Sequence, residues 1–502
     1  MNKIKIFDTT LRDGEQTNHV SFLPSEKLLI AESLINNVGV DYLEIGSCKV
    51  SNNEKQAIIN IAKYAAENGF GDKISVLSFC DHKKSIDWLL ETECKKINLL
   101  TKGSKQHCEV QLKKTLQEHI ADIEKTLQYA RDNNIKYSIY LEDWSRGVED
   151  DFEYVKQLTS FLESQKVESI ILCDTMGVLN PWKTGNFATK MKDKFASTNF
   201  EFHCHNDYAL AIANCLYAVQ SGIECIHTTI NGLGERAGNT NLIDFAVCLK
   251  DHLNIETNIN EQELQNISNL VERLSGKRVA HNSPIVGRDV FTQTAGVHAD
   301  GDKKGNLYRS KLRPERFNRK TEYSLGKMSG GASIDIHLKD MGINVTAEQK
   351  ALILKKIVEI ADAKKTITSH DLPFIISDVI GKTQRMIFEV VECIITSSTT
   401  LSPVANVKIR YNGAEYTQSQ RGNGGYDAFM NCLREIAKTC ELKLLKLVDF
   451  EVSIPKGGHT DALVETIILW EGGIKTSGVS PDQIMSSIKA TEKMINLIHL
   501  SL

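Results

Sequence analysis

Apolar residues in the first half of the chain switch repeatedly between two spacings. Short β-rich runs such as "KIKIFDTTL", "DYLEIGS", "KISVLSFC" and "KKINLLTKG" alternate with longer stretches whose apolar positions recur every three to four residues. The series continues through "KYSIYLED", "SIILCDTMG", "FEFHCHND" and "ECIHTTING". Between them, "SEKLLIAESLINNV" reads as a helix for which Ser25 offers an N-cap, and "NNEKQAIINIAKYAAEN" reads as a second. Strand-then-helix units demand a parallel sheet, and eight of them favour closure into a (β/α)8 TIM barrel. An open doubly wound sheet is the alternative, but no dinucleotide-type glycine loop follows the first strand.

After the eighth unit the pattern changes. Residues 251–275 are polar and helical, "HNSPIVGRDVFTQTAGVHADGDKKGNLY" reads as a connector, and a short helical segment follows near 346–363. From about 385 the chain repeats itself. "ANVKIRYNGAEYTQSQ" followed by helical "GYDAFMNCLREIAK" resembles "VETIILWEGGIKTSGV" followed by helical "PDQIMSSIKATEKMINL", each with one further strand ahead of it. Two βββα units predict a small α+β domain, either a ligand-sensing module or a purely structural dimerisation domain. The expected organisation is a barrel over 1–275, helical connector subdomains over 276–384 and the duplicated α+β domain over 385–502.

Composition acts mainly by exclusion. A net charge of -4 over 502 residues leaves no electrostatic footprint for nucleic acid. No apolar run approaches a membrane span, and "MNKIKIFDTT" enters a strand without a signal-peptide pattern. The 12 cysteines form no CxxC pair, which suits free thiols in a reducing compartment. A cytoplasmic enzyme is the expectation.

Reactive side chains gather where the predicted strands end: Asp8, Arg12 and Asp13 after the first, Glu44 in the second, Glu142 and Asp143 after the fifth, Asp174 and Thr175 after the sixth. The seventh carries His203, His205, Asn206 and Asp207, and the eighth runs into "NGLGERAGNTN". In a barrel all these ends meet on one face. His203 and His205, two apart in a strand, point the same way and make half of a metal site; taken alone they are better explained as buried, hydrogen-bonded histidines. Asp13 offers the anionic third ligand for zinc or manganese, and Asn239 could add a carbonyl oxygen. Arg12 is placed to stabilise an oxyanion, or simply to pair with Glu44 or Glu142. The glycines of "GLGERAGN" fit a close backbone approach to a ligand or a plain tight loop, and His107 and His298, isolated in sequence, read by themselves as structural histidines. Together these groups allow aldol or Claisen condensation, its reverse, or metal-assisted hydrolysis.

"FDTTLRDGEQ", "HCHND" and "NGLGERAGN", supported by "AGVHADG", "LGKMSGG" and the C-terminal duplication, resemble the 2-isopropylmalate, citramalate and homocitrate synthase family. That family lies in a larger group of metal-dependent barrels with hydroxymethylglutaryl-CoA lyase, and the resemblance covers nearly the whole chain. It implies a Claisen-type condensation of acetyl-CoA with a 2-oxo acid, using a divalent metal (manganese, zinc or magnesium) held by Asp13, His203, His205 and Asn239. It further implies Arg12, Glu142, His298 and Tyr308 as catalytic residues, and Arg12, Glu44, His107 and Thr175 as substrate contacts. A homodimer with His298 reaching the partner's barrel, and feedback by a branched-chain amino acid on the tail, also follow from it. The first reading is 2-isopropylmalate synthase of leucine synthesis, acting on 2-oxoisovalerate; the alternative is citramalate synthase, acting on pyruvate towards isoleucine. Departures at "TNHVSF", "EIGSCKV" and "GNGGYDA" bear on the substrate and the effector. Homocitrate synthases usually lack the duplicated tail, a lyase would not need it, and a catalytically dead sensor would have lost metal ligands that are intact here.

Overall fold

Alternation within each strand decides which side chains face the barrel axis and which face the helices. In the computed structural model, which describes residues 3–293, 301, 305, 307, 310–323, 334–335, 337–338, 345–362, 372, 375–376, 379, 387–454 and 463–499, eight parallel strands close into a barrel. They are β1 (Lys5–Asp8), β2 (Tyr42–Ser47), β3 (Ile74–Phe79), β4 (Lys96–Lys102), β5 (Lys136–Glu142), β6 (Ile170–Asp174), β7 (Phe200–Cys204) and β8 (Cys225–Thr228). Closure is made by β1, which pairs with both β2 and β8. Ile6, Leu43, Val76, Ile97, Ile139, Leu172, Phe202 and Ile226 belong to the large core under the helices. Their strand neighbours Glu44, Asn98, Tyr140, His203 and His227 are buried polar residues of the opposite, inward face. A one-residue slip in any strand would exchange these two sets. The candidate site is therefore written into the register.

Local signals set the helix starts. Helix α2 (Asn52–Glu67) begins where the Ser51 side chain accepts the Glu54 N–H. Helix α1 (Pro24–Ser33) differs from expectation: Ser25 is not its N-cap. Pro24 starts the helix because its fixed φ and missing N–H suit the first position, and Glu26 Oε2 accepts the Leu23 N–H at 2.7 Å. The helix runs into a wide π-type turn, Leu34–Val38, and ends at Gly39, whose φ of 85° favours glycine.

The buried lysine of α1 ties this helix to the loop after β1. Lys27 Nζ donates to the Leu11 carbonyl at 3.0 Å and pairs with Glu54 at 2.5 Å and Glu15 at 2.6 Å. Removing one partner of a buried ion cluster leaves the other charge uncompensated. Lys27→Met is expected to destabilise the barrel by about 3–5 kcal/mol, read as a lowered urea midpoint. Adding Glu54→Gln, which removes the stranded charge, should recover part of the loss; no recovery would mean that the cluster acts otherwise.

The second half forms its own unit: the chain divides into Met1–Phe291 with Ser310–Lys320, and Thr292–Arg309 with Thr321–Leu502. Strands Phe388–Thr396, Val404–Tyr411 and Ala414–Arg421 form one antiparallel sheet, followed by helix Gly425–Ala437. Strands Leu447–Ser453, Val464–Trp470 and Lys475–Ser480 form the other, followed by helix Gln483–His499. The duplication is thus two βββα units, and Phe388, Ile409, Phe429, Trp470 and Met494 from both lie in one core. No helix among the described residues is long and apolar enough to cross a membrane.

Candidate metal centre and active site

Strand β7 supplies Glu201 and His203 to one face, and the chain continues past its end to place His205 on the same side. Asp13 arrives from the turn after β1. Its Oδ2 lies 3.2 Å from His203 Nε2 and 4.0 Å from His205 Nε2. Among the described residues, this is the one group of three histidine, cysteine or carboxylate side chains whose ligand atoms lie within 4.8 Å of one another. An antiparallel bridge pairs His205 with Asn239, so the loop after β8 folds back onto the same place.

The unpartnered atoms of this cluster fit a divalent ion. Asp13 Oδ1, Asn239 Oδ1 and the Nδ1 atoms of His203 and His205 are buried without hydrogen-bond partners, an arrangement that is costly unless something binds there. The Asn239 amide nitrogen donates to the Leu233 carbonyl at 3.1 Å, which leaves its oxygen as the free end. Protonation also suits metal binding. Burial pushes the His205 imidazole down to about 4, and burial also lowers His203, though its bond to Asp13 works against this. Burial alone would raise the Asp13 carboxyl, but Arg12 and His203 outweigh it and hold it well below the usual range. Near neutral pH the donor set is one carboxylate and two neutral imidazoles.

Arg12 sits beside the cluster. Its Nε donates to Glu44 Oε2 at 2.5 Å, and its two Nη atoms reach Asp13 Oδ2 at 2.9 Å and the Tyr140 hydroxyl at 3.1 Å. Asn98 Nδ2 holds the other Glu44 oxygen at 2.7 Å. Of the two carboxylates that the sequence offered to Arg12, Glu44 takes it; Glu142 pairs with Lys102 instead.

Glu142 and His107 come together elsewhere on the strand ends. With Gln106, Val110, Gln111 and Arg146 they line a cavity of about 350 Å³, which none of Asp13, His203 or His205 lines. Arg146 donates to Asp143 Oδ1 at 2.7 Å and lies 3.3 Å from His107 Nε2. Asp143 is buried with φ 64°, a left-handed conformation that aspartate tolerates. Thr175 Oγ1 accepts the Asp143 N–H at 2.8 Å, so Thr175 braces this turn. His298 and Tyr308 lie outside the described residues.

The glycines of "GLGERAGN" make room for the loop itself. A Cβ on Gly234 would stand 2.2 Å from Asn239 Nδ2, and one on Gly238 would stand 1.9 Å from the Gly232 carbonyl oxygen. Both have positive φ, at 150° and 86°. Arg236 then locks the loop, donating to both Asp207 oxygens at 2.8 and 3.0 Å and to the Thr175 carbonyl at 2.7 Å. Tyr140, Asn98, Lys102 and Arg236 were not singled out from sequence. For the first three the signal was available: Asn98 and Lys102 share the inward face of β4, and Tyr140 shares that of β5 with Glu142.

A closed barrel with a candidate divalent-metal centre at the C-terminal ends of its strands places the protein among the metal-dependent (β/α)8 enzymes. Residues 3–271 match the HMGL-like family, 285–365 the homocitrate synthase post-HMGL domain-like family, and 366–499 the LeuA allosteric (dimerisation) domain. The chain is 33% identical over 503 residues to the (R)-citramalate synthase CimA of Methanocaldococcus jannaschii, covering 99% of each. It is 32% identical over 502 residues to the "Probable 2-isopropylmalate synthase" of Methanopyrus kandleri, covering 99% of this chain and 98% of that one. The HMG-CoA lyase structure of Bacillus subtilis covers 57% of this chain and 97% of its own, at 23% identity and a TM-score of 0.50, a likeness of fold. The chain belongs to the 2-isopropylmalate, citramalate and homocitrate synthase family, whose members condense acetyl-CoA with 2-oxo acids.

Proposed function

We propose that this protein is a citramalate synthase, condensing acetyl-CoA with pyruvate. This replaces 2-oxoisovalerate as the first reading. The observation that carries it is a small apolar cluster inside the barrel, separate from the main core, made by Leu77, Tyr140, Ile171 and Cys173 with Phe79 and Leu100 packed against it. Tyr140 stands edge-on to His203 with ring centroids 5.9 Å apart, so bulky side chains flank the candidate metal centre. Such walls suit a methyl group better than an isopropyl group. The Methanocaldococcus citramalate synthase supports the same substrate, while the Methanopyrus relative keeps 2-oxoisovalerate as the second reading.

In this proposal Asp13, His203 and His205, with the Asn239 oxygen, hold a divalent ion: manganese, zinc or magnesium. That ion would supply Lewis-acid polarisation of the 2-oxo group. Arg12, a fixed cation beside the centre, faces the oxygen on which charge develops when the acetyl carbon attacks. Glu44 orients Arg12, while Glu142, His107 and Thr175 form the substrate side of the strand ends. His298 and Tyr308 from the connector complete a site shared between two subunits of a homodimer. The division into barrel (1–275), connector (276–384) and regulatory domain (385–502), the last answering a branched-chain amino acid, belongs to the same reading.

Release of coenzyme A thiol from acetyl-CoA, measured against pyruvate, 2-oxobutyrate, 2-oxoisovalerate and 2-oxoglutarate, tests it. The highest kcat/KM is expected with pyruvate, by at least about tenfold. A preference for 2-oxoisovalerate would overturn the proposal in favour of the second reading.

A further inference from the structure

Below the candidate centre, a line of buried polar groups continues down the barrel. Tyr140 on β5 places its hydroxyl 3.2 Å from His227 Nδ1 on β8, and His227 Nε2 lies 2.8 Å from Glu201 Oε2 on β7. The His227 ring is sandwiched: it stacks on Phe7 at 4.4 Å, and meets Tyr140 and His203 edge-on at 5.5 Å each. All of these side chains are buried.

Hydrogen-bond capacity fixes how the line is wired. A carboxylate oxygen accepts, so in the 2.8 Å contact His227 Nε2 donates to Glu201 Oε2. On its other side, His227 Nδ1 meets the Tyr140 hydroxyl at 3.2 Å. The same hydroxyl donates to Glu44 Oε2 at 3.0 Å, so His227, Glu44 and Arg12 together surround it. The Tyr140 oxygen in turn accepts from Arg12.

We propose that His227 is a positioning residue for substrate selection: clamped by Glu201, it holds the Tyr140 hydroxyl and so fixes the Tyr140 ring as a rigid wall of the 2-oxo acid pocket. The proposal rests on the reading of this barrel as a 2-oxo acid site with Tyr140 on its wall. A ring held at its far end by His227 and Arg12 cannot tilt away from a larger substituent, so the accepted side chain stays small. Without the hydroxyl, or without its partner, the ring gains the freedom to yield.

The test compares kcat/KM for pyruvate and for 2-oxobutyrate in the wild type, Tyr140→Phe and His227→Asn, together with bound metal and thermal midpoint. Tyr140→Phe keeps the ring and its volume while removing the hydroxyl. Both variants are expected to lose roughly tenfold in pyruvate-over-2-oxobutyrate selectivity, mostly through KM, with metal content unchanged. Equal losses on both substrates, or an unchanged ratio in folded, metal-loaded Tyr140→Phe, would overturn it as a merely structural contact. If His227→Asn does not fold, His227→Gln is measured in its place, because Tyr140→Phe also removes the contacts to Arg12 and Glu44. A wild type that prefers 2-oxoisovalerate to pyruvate defeats the functional reading instead, a result separate from any change in the ratio.

Discussion

Replacement of His203 by alanine is expected to abolish stoichiometric binding of the divalent ion and to lower turnover by roughly 10³-fold or more. Of the three side chains brought together at the strand ends, His203 lies nearest to Asp13, at 3.2 Å, and is held by a strand rather than a loop. Its loss leaves Asp13 and His205, 4.0 Å apart, with only the Asn239 oxygen beside them. Elemental analysis of the purified variant, set beside thiol-release activity, checks both halves. Retention of a full metal complement, or wild-type turnover after dialysis against a strong chelator, would remove the metal centre from the mechanism.

The second large effect is expected at Arg12. Arg12→Lys keeps the charge but not the fork: one ammonium cannot replace Nε on Glu44, one Nη on Asp13 and the other on Tyr140. Turnover should fall by about 10²–10³-fold, while bound metal falls far less, because Arg12 is not among the candidate ligands. The measurement is kcat alongside metal titration of the same preparation. Parallel losses of metal and turnover would make Arg12 a structural brace for Asp13. The buried pairing with Glu44 makes this a fair contest: Glu44 is fully buried and is left with less compensation in the variant.

Much of the catalytic half was legible because its information is periodic. His203 and His205 had to share a face once β7 was a strand, and Asp13, Glu44, Glu142 and Thr175 had to reach the same end of the barrel once eight strands closed, though Glu142 and Thr175 find other partners there than Asp13 and Glu44 do. The same alternation could have picked out Tyr140, which faces inward two residues before Glu142, and Asn98, two before Leu100. They were passed over because a tyrosine or asparagine within a strand carries no chemistry by itself. Their importance comes from partners 96 and 54 residues away, both on Glu44. Ser25 failed for a local reason: a capping residue one position late competes with a proline already placed to begin the helix.

By itself the sequence determined the barrel, the duplicated tail and the donor set, since hydrophobic spacing and residue type act over a few residues and survive being read along a line. Only the tertiary structure decided the pairings. Whether Arg12 goes to Glu44 or Glu142, whether Lys102 neutralises Glu142, and whether His227 reaches Tyr140 depend on which strands become neighbours across a closed ring. Such contacts are settled by distances of a few ångströms between residues far apart in the chain. In a buried interior, where an unpartnered charge is costly, those distances choose the partner.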